Sequence, residues 1–576
     1  MSSRAVSNPN SILRAFQFHS ESRQIALVVA VSVAIILPAV FFGIPSNLDL
    51  RNHFRFALPF YDAVTGGDLY PGWLAESNGG YGDASFRFYP PALYYLMTAV
   101  RLITSNWYAA TLITFGFLFV AGAVGVYFWT KSLFGSRIGM WAAIVFTLAP
   151  YHLNQFYQAS LLAEFAACSV LPFTLWFVER TCQKQSATNI AGLAITYALL
   201  ILTHLPLTVL GSLALLVYAL CRLRPDNWKR TLPALTSAVL LGLLLSSFYW
   251  VTMIAEKNWI RADQVQRESS VDYRLNFLFS TFSPDNLNVW WMNILMFSST
   301  LMFAPALILL WKRYRQGVNN QLRTVLILVT FAIVMATQLT LPIWNRVKPL
   351  QETQFPWRWL AVVSIVGPLL VAVSLPAWFE VARSKMRPLF LIAMAGMLVS
   401  LTFSLSHIVR EAKFLPAPEF ASTLASIRGS EGVGQWLPVM AQEHVKEISG
   451  DIELAGRQFE TVLKSPEKRV FSVAAGTAGD ARVRTYYYPH WRASAGQEKL
   501  AVRPTDDGVL LVSVPSEATT ITVEFVEPQR TRITAIVSMA GLLIAASLIF
   551  FGGRRKYSVS RRVGIADGQP EPRLES

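Results

Sequence analysis

Long apolar stretches separated by short polar segments dominate the chain. A helix needs about 20 mostly apolar residues to cross the hydrocarbon core of a bilayer. By this measure the sequence predicts twelve membrane-spanning helices, at residues 25–44, 107–130, 138–150, 160–178, 188–203, 206–221, 232–251, 289–311, 323–343, 357–378, 388–407 and 533–551. The apolar run 91–103 is brief, follows Pro90 and Pro91, and contains Arg101, which favours a helix lying in the membrane interface.

Basic residues predict the orientation of these helices. With twelve spans and the N-terminus inside, every inner connection is short and basic, as the positive-inside rule requires. The inner segments are then 131–137, 180–184, 222–230, 312–323, 383–387 and the tail 554–562. Counting 91–103 as a span would place the later basic loops outside. We therefore expect a multi-pass protein of a bacterial inner membrane, with both termini in the cytoplasm and the large loops outside.

The composition excludes several other classes of protein. Of the 576 residues, 53% are apolar and 15% are charged, whereas soluble proteins carry about 25% charged residues. The net charge of +15 is concentrated in the predicted inner loops, so it indicates topology rather than a nucleic-acid partner. The first span is longer than the apolar part of a signal peptide and contains Pro38, so we expect it to be retained.

The predicted fold class is a polytopic α-helical membrane protein with a mostly-β outer domain near the C-terminus. Period-two alternation in the second half of that domain predicts strands and a small β-sandwich, at residues 469–473, 483–489, 510–514 and 521–525. The predicted regions are a cytoplasmic tail 1–24, a transmembrane domain 25–407 whose first outer loop 45–106 carries interfacial helices, the β-rich domain 408–532, the last span 533–551 and the basic tail 552–576.

A charged segment directly after the first span is the first candidate for chemistry. Asp49 and His53 have the i, i+4 spacing that places both on one face of a helix. A carboxylate there can deprotonate a hydroxyl, and together with the imidazole it can bind a divalent cation. Arg51 and Arg55 are close enough to hold a phosphate. The alternative is an interfacial helix with snorkelling charges.

Further polar groups fall on the same predicted outer edge, where polar side chains are costly and therefore informative. Each also has a structural interpretation, such as a helix cap for His204, an ion pair for Glu164 or an aromatic anchor for Arg358. Arginine is nevertheless well suited to grip a phosphate. The candidates on this edge are His152, Glu164, His204, Glu256, Gln354 and Arg358.

Several short motifs together resemble a known superfamily. They are Tyr89-Pro90-Pro91, Tyr151 with Glu164, Thr203-His204, Tyr249-Trp250 with Glu256, Gln354 to Arg358, Trp436 to Pro438 and Tyr488 to Trp491. With an early outer Asp, many spans and an outer C-terminal domain, the chain resembles the GT-C class of integral-membrane glycosyltransferases. It is most similar to the bacterial membrane proteins labelled "6-pyruvoyl-tetrahydropterin synthase-related" and, more loosely, to YfhO-like proteins.

The resemblance implies transfer of a sugar from a polyprenyl-phosphate donor to an extracytoplasmic glycan, lipid or protein acceptor. Asp49 matches the first-loop acid of the class, which is a base in some members and a metal ligand in others. The paired acid of several subfamilies is absent, since Leu50 follows Asp49. With the polar groups of the outer edge, the predicted catalytic residues are Asp49, His53 and Glu164, with a divalent cation (Mg²⁺ or Mn²⁺) bound by Asp49 and His53 as an option. The predicted substrate-binding residues are Arg51, Arg55, Tyr89, His152, His204, Glu256, Gln354 and Arg358. By its chemistry and placement, Arg358 is the candidate for binding the lipid phosphate.

Two other functions remain open from the sequence. A lipid or solute transporter is compatible with twelve spans, although transporters usually bind near the midplane and carry internal repeats. A non-catalytic scaffold for envelope assembly would tolerate loss of the outer polar groups. In the outer domain, Tyr486, Tyr487, Tyr488 and Trp491 suit either a sugar-binding surface or the core of a sandwich, and we favour the core.

Overall fold

Helices make up most of the chain up to residue 427. The computed structural model describes residues 20–261, 271–280, 287–314, 319–381, 387–428, 432–442, 445–446 and 448–563. The predictions for the first nineteen residues, for the end of the basic tail and for parts of the loops 256–288, 312–323 and 383–387 lie outside the described residues.

The first eleven helices carry the chain to the second outer loop. They are α1 (Glu21–Phe42), α2 (Leu50–Thr65), α3 (Ala92–Thr104), α4 (Trp107–Phe134), α5 (Ser136–Thr147), α6 (Pro150–Tyr157), α7 (Leu162–Gln183), α8 (Ala187–Thr203), α9 (Leu205–Arg222), α10 (Trp228–Leu245) and α11 (Ser247–Glu256). A two-residue strand, β1 (Ile44–Pro45), lies between α1 and α2. Helices α10 and α11 are bent by 70° at a short break.

The remaining helices complete the membrane part and one returns after the β domain. They are α12 (Leu287–Tyr314), α13 (Asn320–Met335), α14 (Leu341–Trp344), α15 (Lys348–Gln351), α16 (Trp359–Val381), α17 (Arg387–Glu411), α18 (Ala417–Ile427) and α19 (Gln529–Val563). Strand β2 (Phe414–Leu415) precedes α18 and pairs antiparallel with β1.

A helix occupies each of the twelve stretches that the hydropathy pattern selects. By length and composition, the described residues contain 7 helices that can cross a membrane, or up to 8 if the bent pair counts as one span. The remaining helices of the predicted set are shorter, so the number twelve stays a prediction. The run 91–103 forms α3, which is helical as expected, and the guanidinium of Arg101 lies over the ring of Tyr61 (5.3 Å).

Burial separates the helices into a central one and a lipid-facing set. In the apolar window Pro356–Pro376, which contains most of α16, 89% of the residues are buried. The corresponding windows of α17 and α19 are only 17% buried. An apolar helix surface exposed in this way is stable only in contact with lipid, so the pattern agrees with a multi-pass membrane protein.

The C-terminal domain is a two-sheet β-sandwich, as the alternation predicts. Its strands are β3 (Ile452–Leu454), β4 (Phe459–Ser465), β5 (Lys468–Val473), β6 (Gly479–Tyr486), β7 (Trp491–Ala495), β8 (Glu498–Leu500), β9 (Val502–Pro504), β10 (Val509–Val514) and β11 (Thr519–Phe525). They form one sheet of order β3-β6-β10-β9 and a second of order β4-β5-β11-β7-β8. Both sheets bury side chains in one core, and Tyr486, Tyr488 and Trp491 are buried there, as we favoured.

The predicted start of the β-rich region at residue 408 falls inside α17. The apolar pattern of that helix continues through Ile408 and Val409, so the helix ends only at Glu411. Strand β2 and helix α18 then remain with the membrane part, where Phe420 of α18 contacts Phe54 of α2 (ring centroids 5.2 Å apart).

Gly43 makes the pairing of β1 with β2 possible. Its φ of +123° lies in a region that favours glycine, and a Cβ built there would meet the backbone of Leu415 at 2.3 Å. The close contact fixes the path of the chain as it leaves α1. Within a few residues this path leads through Asn47, whose side chain donates to the carbonyl of Glu411 (3.0 Å), to the start of α2.

Glu256 at the end of α11 connects the membrane part to the sandwich. Its fully buried carboxylate accepts hydrogen bonds from Arg87 of the first outer loop, from Tyr488 (2.7 Å) and His490 (3.0 Å) of the β domain, and from Arg530 at the start of α19. Burial alone would raise the pKa of this carboxyl, but the hydrogen bonds from Arg87 and His490 outweigh burial and lower the pKa below its usual range.

The expected effect of Glu256→Gln is a large loss of stability, because the buried guanidinium of Arg87 would lose a counter-charge. Removing one partner of a buried ion pair costs about 3–5 kcal/mol. Thermal unfolding in detergent should show a clearly lower Tm than for wild type. As a control, Glu524→Gln removes a half-exposed carboxylate paired with Lys468 at 3.9 Å and should change Tm little. Equal Tm values for the two variants would contradict the structural role of Glu256.

Glu467, at the turn before β5, is expected to make the stability depend on pH. Burial, together with the nearby charges of Asp68 and Glu527, raises the pKa of its carboxyl to about 7. Between the ordinary glutamate pKa and this value, the folded state holds more protons than the unfolded state. The free energy of unfolding therefore falls as the pH rises through this window, and above it the loss is complete.

The measurement is the Tm of Glu467→Gln and of wild type at pH 5 and pH 8. The Tm of the variant minus the Tm of wild type should be larger at pH 8 than at pH 5, because glutamine carries no charge to bury at the higher pH. The exposed residue Glu498 on β8 offers a control, since Glu498→Gln should show the same small difference from wild type at both values. A difference for Glu467→Gln that does not change with pH would exclude this origin.

Candidate functional site

Asp49 stands at the first turn of α2 with its carboxylate partly exposed. Its backbone amide donates to the carbonyl of Ala159 (3.4 Å), which links this turn to the segment before α7. One carboxylate oxygen, Oδ1, accepts a hydrogen bond from the amide of Asn52 (3.2 Å). The other oxygen, Oδ2, makes no hydrogen bond with the described residues, so the carboxylate can accept a proton or a donor from a ligand.

His53 lies one turn later, as the spacing predicts, but it is buried and fully engaged. Nε2 accepts the backbone amide of Leu162 (3.2 Å), so Nδ1 carries the hydrogen and donates to the hydroxyl of Tyr94 (2.9 Å). Burial lowers the pKa of the ring to about 4, although the charge of Asp49 raises it in part. His53 is therefore neutral at physiological pH, and its role is to hold Tyr94 and the start of α7 beside Asp49.

The cation option does not fit these donors. Both nitrogens of His53 are used by protein groups, so Asp49 and His53 cannot ligate a metal ion together in this arrangement. In the part of the chain that the structure describes, no group of three or more His, Cys, Asp or Glu side chains is placed to hold a metal ion. No step of the mechanism below uses a cation.

Glu164 and Arg358 form a buried ion pair across the same region. Arg358, in the turn before α16, donates from Nε to Glu164 (3.0 Å) and from Nη1 to the carbonyl of Thr353 (2.5 Å). The second carboxylate oxygen of Glu164 accepts the Tyr151 hydroxyl (2.6 Å) and the Gln155 amide (2.9 Å). Glu164 is thus saturated, whereas Nη2 of Arg358 makes no hydrogen bond to a described residue.

Tyr89 connects the two charged groups. Burial raises the pKa of its hydroxyl, the charges of Asp49 and Glu164 raise it further, and the charge of Arg358 acts in the opposite direction. These three ionised groups are therefore close enough to act on one hydroxyl. The ring of Tyr89 packs on Phe56 of α2, with centroids 4.7 Å apart, which fixes its position next to Asp49.

His204 reaches the edge of this cluster as a helix cap. Its Nδ1 accepts the amide of Leu207 (3.2 Å) at the start of α9, so the hydrogen lies on Nε2. Burial, and then the charge of Arg358, lower the pKa of the ring, which keeps it neutral. The structure thus brings together Asp49, His53, Tyr89, Glu164, His204 and Arg358 from the predicted set.

Other predicted site residues have different surroundings. His152 is fully buried between the rings of Phe146 (4.4 Å) and Phe165 (4.6 Å), where it is part of the core rather than a substrate ligand. Glu256 has both oxygens occupied in the junction described above, which corrects its assignment to substrate binding. Gln354 lies in the turn that carries Arg358, and its side chain makes no hydrogen bond to a described residue.

The two arginines of α2 do not meet in a phosphate site. Arg51 is exposed and donates to the hydroxyl of Ser426 on α18 (3.2 Å). Arg55, one turn later on the same side of the helix, donates instead to the side-chain oxygen of Asn52 (3.1 Å). Their spacing in the sequence predicts one pair, because the sequence does not show that they contact different partners.

Sequence reasoning missed Asn52, Tyr94 and Gln155, each of which contacts a predicted residue. Asn52 is three residues after Asp49, and on a helix that spacing brings the two side chains together, so the signal was present. Tyr94 lies in the first turn of the helix after the Pro-Pro pair. For Gln155, four residues after Tyr151, no local pattern indicates a partner in α7.

Comparison with known proteins gives the family. The sequence model described as "6-pyruvoyl-tetrahydropterin synthase related domain; membrane protein" matches residues 86–414, more than half of the chain. The chain belongs to this family of membrane proteins. The expectation of a multi-pass membrane protein is confirmed, and the matched range includes Tyr89, Glu164, His204 and Arg358. No curated protein matches the chain.

Among solved structures, three likenesses illustrate the range. Arabinofuranosyltransferase AftD from Mycobacteria aligns at 17% identity and a TM-score of 0.43, over 68% of this chain and 27% of that one. ArnT from Cupriavidus metallidurans bound to undecaprenyl phosphate aligns at 14% identity and a TM-score of 0.42, over 71% of this chain and 75% of that one. The Archaeoglobus fulgidus oligosaccharyltransferase in the apo form aligns at 13% identity and a TM-score of 0.38, over 72% of this chain and 57% of that one. The chain spans about a quarter of the mycobacterial protein. Scores this low carry no argument about function.

A double-mutant cycle tests the coupling of Glu164 to Arg358. Glu164→Leu and Arg358→Leu should each lower the stability strongly, because each leaves a buried charge without its partner. The double variant should lose less than the sum, with an interaction energy on the order of 0.5–3 kcal/mol. Chemical unfolding in detergent measures the three differences. Strict additivity would show that the two side chains do not interact.

Proposed function

We propose that the protein is a membrane glycosyltransferase of GT-C type that transfers a sugar from a polyprenyl-phosphate donor to an acceptor hydroxyl outside the cytoplasmic membrane. The observation that carries the proposal is a partly exposed carboxylate directly after the first membrane helix, Asp49, whose charge acts on the buried hydroxyl of Tyr89 together with the charge of Arg358, an arginine with an unused donor. In a bacterial inner membrane with both termini inside, this site faces the periplasm.

In the proposed reaction Asp49 is the base. Its free oxygen takes the proton of the acceptor hydroxyl while the acceptor oxygen forms a bond to the anomeric carbon of the donor sugar. The bond from that carbon to the phosphate oxygen breaks, and its electron pair leaves with the lipid phosphate. Attack from the face opposite the leaving group inverts the anomeric configuration.

Arg358 is proposed to stabilise the departing phosphate. Nη2 is the donor that remains after Nε and Nη1 have bound Glu164 and Thr353, and donors held in place before the reaction stabilise developing charge without reorganisation. Glu164 then acts on the phosphate through Arg358, whose orientation it fixes. The hydroxyl of Tyr89 is within range of the charges of both Asp49 and Arg358, and Tyr89 is proposed to contact the sugar.

A long isoprenoid carrier suits this location. The site lies near the outer ends of apolar helices, so the head of the donor can reach Arg358 while the tail remains among lipid-facing surfaces. The sequence shows no nucleotide-binding fingerprint, which fits a lipid-linked donor better than a nucleotide sugar.

Asp49→Asn is expected to reduce transfer by about 10²–10⁴-fold, the usual contribution of a positioned base, with folding unchanged. Mass spectrometry of envelope glycans compares a strain lacking the gene with strains that carry wild type, Asp49→Asn or the control Glu419→Gln. Glu419 is an exposed acid on α18. Wild type and Glu419→Gln should restore the missing sugar, and Asp49→Asn should not.

Three outcomes would refute the assignment. Full restoration by Asp49→Asn would exclude this residue as the base. A proteoliposome assay in which an acceptor only changes compartment, without gaining a sugar, would favour a transporter. Normal envelope glycans after simultaneous replacement of Asp49, His53 and Glu164 in a stably folded protein would favour a scaffold.

A further inference from the structure

An open cleft lies along α2, on a face that differs from the one occupied by His53. It is open to solvent and is lined by α2, by residues 76–78 of the loop between α2 and α3, and by the end of α18 with Gly432. The lining side chains that matter here are Arg55, Asp62, Glu76, Asn78 and Arg428. None of the mechanism described above uses this cleft.

The charges in the cleft balance. Arg428 donates to both carboxylate oxygens of Asp62 (2.7 and 3.3 Å), and the charge of Glu76 acts on Arg428 as well. With Arg55 there are two cations and two anions. A phosphate or a carboxylate entering here would gain contact with an arginine but would also face Asp62 and Glu76, so the cleft does not favour an anion.

Asn78 holds one wall of the cleft in place. Its side-chain oxygen accepts the amide of Gly432 (2.6 Å), and its side-chain nitrogen donates to the carbonyl of Gly82 (3.1 Å). The wall is therefore formed before any ligand binds. A site whose polar groups are already fixed loses little conformational freedom on binding.

Arg55 keeps donors unused at this cleft. Nη1 donates to Asn52, whereas Nη2 makes no hydrogen bond to a described residue. A ligand oxygen in the cleft can accept a hydrogen bond from Nη2. Together with the carboxylates of Glu76 and Asp62, the cleft offers both donors and acceptors, the combination that a hydroxyl group can use on both sides.

The cleft is connected to Asp49. Arg55 donates to Oδ1 of Asn52 (3.1 Å), and Nδ2 of the same amide donates to Asp49 (3.2 Å). The six residues from Asp49 to Arg55 correspond to roughly 9 Å along a helix axis. A ligand that occupies the cleft and also presents a hydroxyl to Asp49 has to extend over this distance, as a short chain of sugar rings does.

We propose that this cleft binds an uncharged, hydroxyl-rich ligand, a short neutral oligosaccharide, through Arg55 and Glu76, and that it is the acceptor subsite of the protein. The acceptor role rests on the function proposed above, whereas the binding of a neutral sugar chain does not.

The test uses the full chain in lipid nanodiscs, with maltotriose as the neutral probe and inorganic phosphate as the anionic one. Saturation-transfer NMR should show saturable binding of maltotriose that an equal concentration of phosphate does not displace. Arg55→Met should weaken the binding about tenfold. Glu76→Ala, at an exposed position that does not endanger folding, should also weaken it, and the control Arg346→Met, at an exposed arginine outside the cleft, should not.

The two proposals fail separately. No maltotriose binding by wild type, displacement by phosphate, or unchanged binding by both cleft variants would overturn the cleft assignment and leave the function of Asp49 untouched. Asp49→Asn should keep its affinity for maltotriose while transfer is lost. If Asp49→Asn transfers normally and maltotriose still binds in the cleft, the proposed base is wrong and the sugar site stands.

Discussion

The buried carboxylate of Glu256 determines how the β-sandwich is attached to the helical part of the molecule. It joins three pieces that are distant in the chain, namely the loop between α2 and α3, the sandwich and the beginning of the last helix. Because a buried charge must be compensated, these pieces cannot separate without leaving Arg87 or Glu256 unpaired. Tyr89 follows Arg87 by two residues in the same loop. The ion pair of Arg87 with Glu256 therefore also fixes the position of Tyr89, which forms one side of the candidate site.

Most polar groups at the outer ends of the helices are saturated, and this separates structural from functional residues. Glu164, His53 and Glu256 use their acceptors within the protein, whereas Asp49 and Arg358 each keep one group unused. Because Asp49 is partly exposed, its unused oxygen is open to a ligand. Arg55 also keeps a guanidinium nitrogen, Nη2, without a hydrogen bond to a described residue.

The sequence predicts the helices and the sandwich well because both depend on local periodicity. Apolar runs select the helices, and alternation selects β5, β6, β10 and β11, while the short strands β8 and β9 have too few residues to show a pattern. The roles of the residues in the candidate site depend instead on contacts between residues that are distant in the sequence. Asp49 with His53 follows from helical spacing, but only the fold shows that Leu162 and Tyr94 occupy the imidazole, and only the fold separates Glu256 from Glu164.

The position of Asp49 depends on Gly43, although Gly43 is not part of the candidate site. Its missing side chain allows the end of α1 to lie against the strand before α18, and from there the chain leads directly to Asp49. Any other residue at this position would push the two segments apart and displace the carboxylate. A substitution at position 43 is therefore expected to leave insertion into the bilayer unchanged but to impair the activity of the protein.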